Sequence, residues 1–74
     1  MEIEERVFLL AIYKKKDDES LNDIIQILEN GGLFSYKDGK KFLKGFRQND
    51  LIDGENLTLI GLEKAKDAEL EFKL

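Results

Sequence analysis

Ser35-Tyr36-Lys37-Asp38-Gly39-Lys40-Lys41-Phe42-Leu43-Lys44-Gly45-Phe46-Arg47-Gln48 is the stretch on which the reading of this chain turns. At about 100° per residue, Tyr36, Gly39, Phe42, Leu43 and Phe46 fall on one arc of a helix, and Lys37, Lys40, Lys41, Lys44, Arg47 and Gln48 fall on the opposite arc. Ser35 followed by Asp38 is a helix-opening signature, since a serine hydroxyl can take up one of the first free backbone N–H groups. One side of this helix faces a core and the other presents a basic stripe. Its five bases and single acid sum to +4, whereas residues 1–34 and residues 49–74 each sum to −4, in a chain whose net charge is −4. A local basic patch inside an acidic protein is the main functional clue.

Toward the start of the chain, Glu2, Glu4 and Glu5 suit the positive end of a helix and Lys14, Lys15 and Lys16 suit its negative end, which predicts helix one over residues 2–16. Ile3, Val7, Leu10 and Ala11 share a face, while Phe8, Leu9, Ile12 and Tyr13 cover the rest of the circle. A helix apolar all round wants burial on several sides. A domain this small is expected to leave part of that surface either half exposed or covered by a partner. Asp17, Asp18 and Glu19 break the pattern, and Ser20 with Asp23 opens a second helix whose stripe is Leu21, Ile24, Ile25 and Leu28. Asn30, Gly31 and Gly32 end it.

Beyond Gln48, Leu51-Ile52 and Leu57-Thr58-Leu59 flank Asp53-Gly54-Glu55-Asn56, the pattern of a minimal hairpin. From Thr58 or Leu59 the chain reads as helix again, with Gly61, Leu62, Ala65, Ala68 and Phe72 on one face and Leu59, Leu70 and Leu74 on a second, narrower stripe. The chain has no proline, which favours long helices over a many-stranded sandwich. The expected fold class is mainly α with a small β-hairpin, in one domain over residues 1–74. Val7, Leu10, Ile24, Leu28, Leu43, Phe46, Leu57, Leu62 and Ala65 are its expected core.

Composition narrows the function classes. Hydrophobic residues at 42% are enough for a core despite 38% charged residues. The longest apolar run, Val7 to Tyr13, is far short of the ~20 residues a membrane span needs, and no cleavable signal precedes it. A soluble, cytoplasmic protein without membrane contact is expected. Histidine and cysteine are both absent, which removes the commonest general base, the thiol nucleophile and the soft metal ligands. Gly39-Lys40 fails as a phosphate-binding loop, because Phe34 stands where an earlier glycine is needed and Lys41 where serine or threonine is needed. Gly54 fails as the glycine of a calcium loop, because Leu51 and Ile60 would then occupy oxygen-ligand positions. Asp17, Asp18 and Glu19 read as a solvated loop. No enzyme, cofactor, metal or small-molecule substrate is expected.

The order helix, helix, basic helix, two-stranded hairpin, helix resembles the winged helix-turn-helix domains of small bacterial and phage regulators. Two passages carry the resemblance: Ser35 to Gln48, and Leu51-Ile52 through Leu57-Thr58-Leu59-Ile60-Gly61-Leu62-Glu63-Lys64-Ala65, where a strand ends in Leu-Thr and a glycine-containing helix follows directly. It implies three helices, a two-stranded wing and a C-terminal helix. It also implies that helix three enters the major groove of double-stranded DNA as part of a transcription-regulator-like module. The nucleic-acid-binding set would be Ser35 and Tyr36 at the helix start, where N–H groups can meet a phosphate, with Lys37, Lys40, Lys41, Lys44, Arg47 and Gln48 along the basic arc. A homodimer joining the first and last helices is expected as well, through Phe8, Leu9, Leu59, Leu70 and Leu74. Where the family's wing often carries bases, this one carries Asp53 and Glu55, with Asp50 beside it. The second helix offers Asp23 and Glu29 and no base. A solvated helix face, and a protein-interaction module on the same scaffold, therefore stand beside DNA binding as readings of the basic arc.

Overall fold

Every helix begins where a side chain can take up the first free N–H groups. The computed structural model describes residues 2–72. Its elements are α1 (Ile3–Lys14), α2 (Leu21–Asn30), α3 (Tyr36–Gln48), β1 (Ile52–Asp53), β2 (Asn56–Leu57) and α4 (Leu59–Phe72). Glu2 opens α1 in a reciprocal capping box with Glu5, whose carboxylate accepts the Glu2 N–H at 3.2 Å. In α2 the Ser20 hydroxyl accepts the Asp23 N–H at 3.1 Å, and the Asp23 carboxylate accepts the Ser20 N–H at 2.9 Å. Ser35 caps α3 by accepting the Asp38 N–H at 3.1 Å, and Thr58 caps α4 by accepting the Gly61 N–H at 3.0 Å. Each bond satisfies one of the donors that a helix start leaves free.

The helix ends are equally local. Helix α1 stops at Lys14, two residues before the sequence predicts, because a polar turn competes for the backbone. Glu19 accepts the Lys16 N–H on its carboxylate at 2.8 Å and donates its own N–H to the Lys16 carbonyl at 3.1 Å. Helix α2 ends in a Schellman motif, with the Leu33 N–H on the Leu28 carbonyl at 3.0 Å and Gly32 at φ 82°. Helix α3 ends in the same way, with the Leu51 N–H on the Phe46 carbonyl at 2.8 Å. There the left-handed position is filled by Asp50 at φ 59°, a conformation that an L side chain adopts at a cost.

Helix α1 packs against both α2 and α4, so its own chain covers most of its circumference. Phe8 and Leu9 have 0% exposure and Ile12 3%, while Val7, Leu10 and Ala11 are half-buried. This corrects two expectations at once. The buried phase of α1 runs through Phe8, Leu9 and Ile12 rather than Val7 and Leu10, and Phe8 and Leu9 have no surface left for a dimer partner. The Phe8 ring explains the choice, lying 5.3 Å from Phe34 and 5.4 Å from Phe46, with Phe34 in turn 5.7 Å from Phe42. Tilted aromatic contacts of this kind add to the burial itself. Leu21, Ile24 and Ile25 from α2, Leu43 and Phe46 from α3, Leu51, Ile52 and Ala65 complete one buried cluster. Leu28 and Leu57, also expected in the core, are half-buried against it, and Leu62 is half-buried as well.

The hairpin pairs Ile52 with Leu57 and Asp53 with Asn56, antiparallel, around a turn at Gly54 and Glu55. Ile52 is buried and Asp53 and Asn56 are exposed, as alternation along a strand requires. The exit of α3 and the entry of α4 are locked together at this point. The Thr58 N–H donates to the Leu51 carbonyl at 3.0 Å, and the Thr58 hydroxyl donates to the Asp50 carbonyl. Gly61 lies so close beneath that an added Cβ would fall on the Leu51 carbonyl oxygen. On α4, Arg6 pairs with Glu71 and Lys14 with Glu69, so the last turns are tied to α1 at the surface. The Glu69 hydrogen bond and charge hold the Lys14 ammonium above its ordinary pKa of 10.5. Among the described residues no helix is long and apolar enough to cross a membrane.

Candidate nucleic-acid interface

Helix α3 is positioned by its buried side. Gly39, Leu43 and Phe46 are buried, and Tyr36 and Phe42 are half-buried. Gly39 permits close approach to α2, since a Cβ there would meet Ile25 Cγ2 and Phe34 Cε1 at 2.8 Å each. With that face fixed, the opposite side is forced outward: Lys37, Lys40, Lys41, Lys44, Arg47 and Gln48 are all exposed. At about 100° per residue, Lys37, Lys41, Lys44 and Gln48 form one straight stripe diametrically opposed to Gly39, Leu43 and Phe46. Among the described residues Lys37, Lys41, Lys44 and Arg47 form no ion pair.

Lys40 differs from the others. Its ammonium donates to Asn22 Oδ1 at 2.9 Å and sits 5.6 Å from the centre of the Tyr36 ring, whose hydroxyl approaches the same Asn22 oxygen at 3.4 Å. Lys40 is thus turned toward the start of α2 and partly set aside from the stripe.

The start of α3 departs from the sequence reading. Ser35 Oγ is engaged by the Asp38 N–H, and the Tyr36 N–H donates to Glu29 Oε2 at 2.9 Å. Glu29 comes from the last turn of α2, a negative helix end that disfavours a carboxylate, and bridges to the positive end of α3, which favours one. Of the donors assigned to a phosphate, the Tyr36 N–H is already taken by an acid of the same chain. Ser35 and Tyr36 therefore act as structural parts of the helix start. Among the α3 residues, the exposed candidates that remain are Lys37, Lys41, Lys44, Arg47 and Gln48.

The hairpin holds a second unexpected bond. Glu55 Oε1 accepts the Leu21 N–H at 2.9 Å, so this turn carboxylate caps α2. Asp53 on β1 and Glu55 in the turn are both exposed, so the hairpin presents acid to solvent. The remaining members of the expected dimer set divide. Leu59 and Leu70 are 74% and 69% exposed, and Leu74 lies outside the described residues. Comparison with protein-family models, curated proteins and solved structures gives no match for the chain.

Proposed function

We propose that this chain is a winged-helix DNA-binding module, transcription-regulator-like, that lays the outer stripe of α3 in the major groove of duplex DNA. The observation that carries the reading is the set of cations Lys37, Lys41, Lys44 and Arg47, unpaired among the described residues, on one exposed helix face in a protein otherwise acidic. The major groove admits a helix, and phosphates on its rims are neutralised by lysines with release of counterions. Gln48, at the end of the same stripe, can pair with the N6 and N7 edge of adenine. The order of three helices, a short hairpin and a fourth helix supports the winged-helix identification. In this arrangement the hairpin acts as a brace for α2 through Glu55 rather than as a phosphate-binding wing. Lysines then supply affinity and Gln48 supplies sequence preference.

The test is a fluorescence-anisotropy titration of short duplexes at ~50 mM salt, where phosphate contacts are strong. Binding of the parent to many sequences, with preference lost in Gln48→Ala while general affinity is kept, supports the reading. The closed helix start at Glu29 and the exposed Asp53 favour one other occupant of the stripe, an acidic protein surface. Absence of DNA binding at this salt would give that second reading precedence.

A further inference from the structure

Helix α4 buries Gly61, Ala65 and Ala68, and directly opposite them it exposes Leu59, Glu63, Lys66 and Leu70. The two leucines are 74% and 69% exposed, and Ile60 beside Leu59 is 50% exposed. Among the described residues Glu63 and Lys66 form no ion pair or side-chain hydrogen bond. The spacing of four, three and four residues is that of a coiled-coil seam, running about 17 Å at ~1.5 Å per residue.

The order of residue types along that seam is what selects a partner. Leu59 and Leu70 lie at equal distances from a point between Lys64 and Ala65, and Glu63 and Lys66 lie symmetrically about the same point. A two-fold axis through it would bring a second α4 alongside in antiparallel orientation. Each Leu59 then meets the Leu70 of the other copy, and each Glu63 meets the opposite Lys66. A two-fold interface must be self-complementary, with residue i meeting j and j meeting i, and this seam satisfies that condition in both apolar and charged positions. A parallel pairing would instead set Glu63 against Glu63 and Lys66 against Lys66. We infer that the outer face of α4 is a docking surface for a second copy of this chain, antiparallel, with Leu59–Leu70 and Glu63–Lys66 contacts across the two-fold axis. The surface is a single helix stripe, small against the ~1,200 Å² of a standard interface, so the association is weak, with Kd of about 0.1 mM.

Sedimentation equilibrium of the full chain up to about 1 mM, without DNA, tests this apart from the reading of α3. The parent should associate, and Leu70→Ser, which changes only an exposed position, should abolish association with the circular-dichroism spectrum unchanged. Glu63→Lys and Lys66→Glu should each weaken it about tenfold at low salt, because two attractive contacts per dimer become repulsive. An equimolar mixture of the two single variants should recover parental strength. In the mixed dimer the introduced lysine of one chain faces the introduced glutamate of the other, and the retained Lys66 of the first faces the retained Glu63 of the second. A parent that is monomeric at about 1 mM overturns the inference. So does a mixture no stronger than its components, or association indifferent to both charge changes.

Discussion

Helices α3 and α4 are built on one template and present opposite chemistry. Each buries a glycine and two further residues at the same spacing, Gly39, Leu43 and Phe46 in α3 and Gly61, Ala65 and Ala68 in α4. Each exposes a straight stripe on the far side, Lys37, Lys41, Lys44 and Gln48 in one and Leu59, Glu63, Lys66 and Leu70 in the other. The inner faces hold in different ways. Helix α3 is anchored by bulk, through Leu43 and Phe46, whereas α4 is anchored by the lack of it, its small residues allowing close approach to α1 and to the Leu51 backbone. The outer faces differ in charge pattern. A run of one sign suits a polyanion, and a run in which a two-fold rotation sets leucine against leucine and acid against base suits a second copy.

The contrast between bulk and close approach can be broken by substitution. Phe46→Ala should cost about 3–5 kcal/mol, enough to unfold a domain of this size, because the ring meets Phe8 and has only 2% exposure. A melting temperature like the parent's would mean that α3 is not held by this face. Gly61→Ala should come next, at about 3 kcal/mol, since its Cβ would meet backbone that cannot step aside. Gly39→Ala should cost less, about 1–2 kcal/mol, because Ile25 and Phe34 are side chains that can shift. Urea denaturation of the two glycine variants checks the order, and equal losses would remove the distinction drawn here.

Legibility in the sequence followed the range of the interaction. The Ser20 and Ser35 caps, the α2 stripe, the two faces of α3 and the position of the hairpin all depend on spacings of a few residues, and all were readable. The phase of α1 was not, because a helix apolar all round carries no periodicity to say which side is innermost. Phe8 is selected by Phe34 and Phe46, rings distant in sequence. The roles of Glu29 and Glu55 were hidden for the same reason, since each carboxylate reaches the start of a helix from another element of the fold. Local charge counting registered them only as acids unfavourable to DNA.

Two smaller effects sharpen the picture of α3. Glu29→Gln should lower stability by about 1 kcal/mol by removing the charge from the bond to the Tyr36 N–H. It should also tighten duplex binding, as an anion leaves the helix start. Thermal melts and anisotropy titrations read the two effects separately, and unchanged DNA affinity would place the helix start away from the backbone. Asp50→Gly should raise stability by about 0.5 kcal/mol, since glycine adopts the left-handed end of α3 without strain, and chemical denaturation measures it.

The central claim, that the outer stripe of α3 contacts DNA phosphates, is tested most directly by the salt dependence of duplex binding. With Lys37, Lys41 and Lys44 each neutralising one phosphate, the logarithm of affinity should fall against the logarithm of salt with a slope near −3, at about 0.9 per contact. In Lys41→Gln the slope should become shallower by about one, with weaker binding to every sequence alike. No measurable affinity at ~50 mM salt, or a Lys41→Gln slope equal to the parent's, would contradict it.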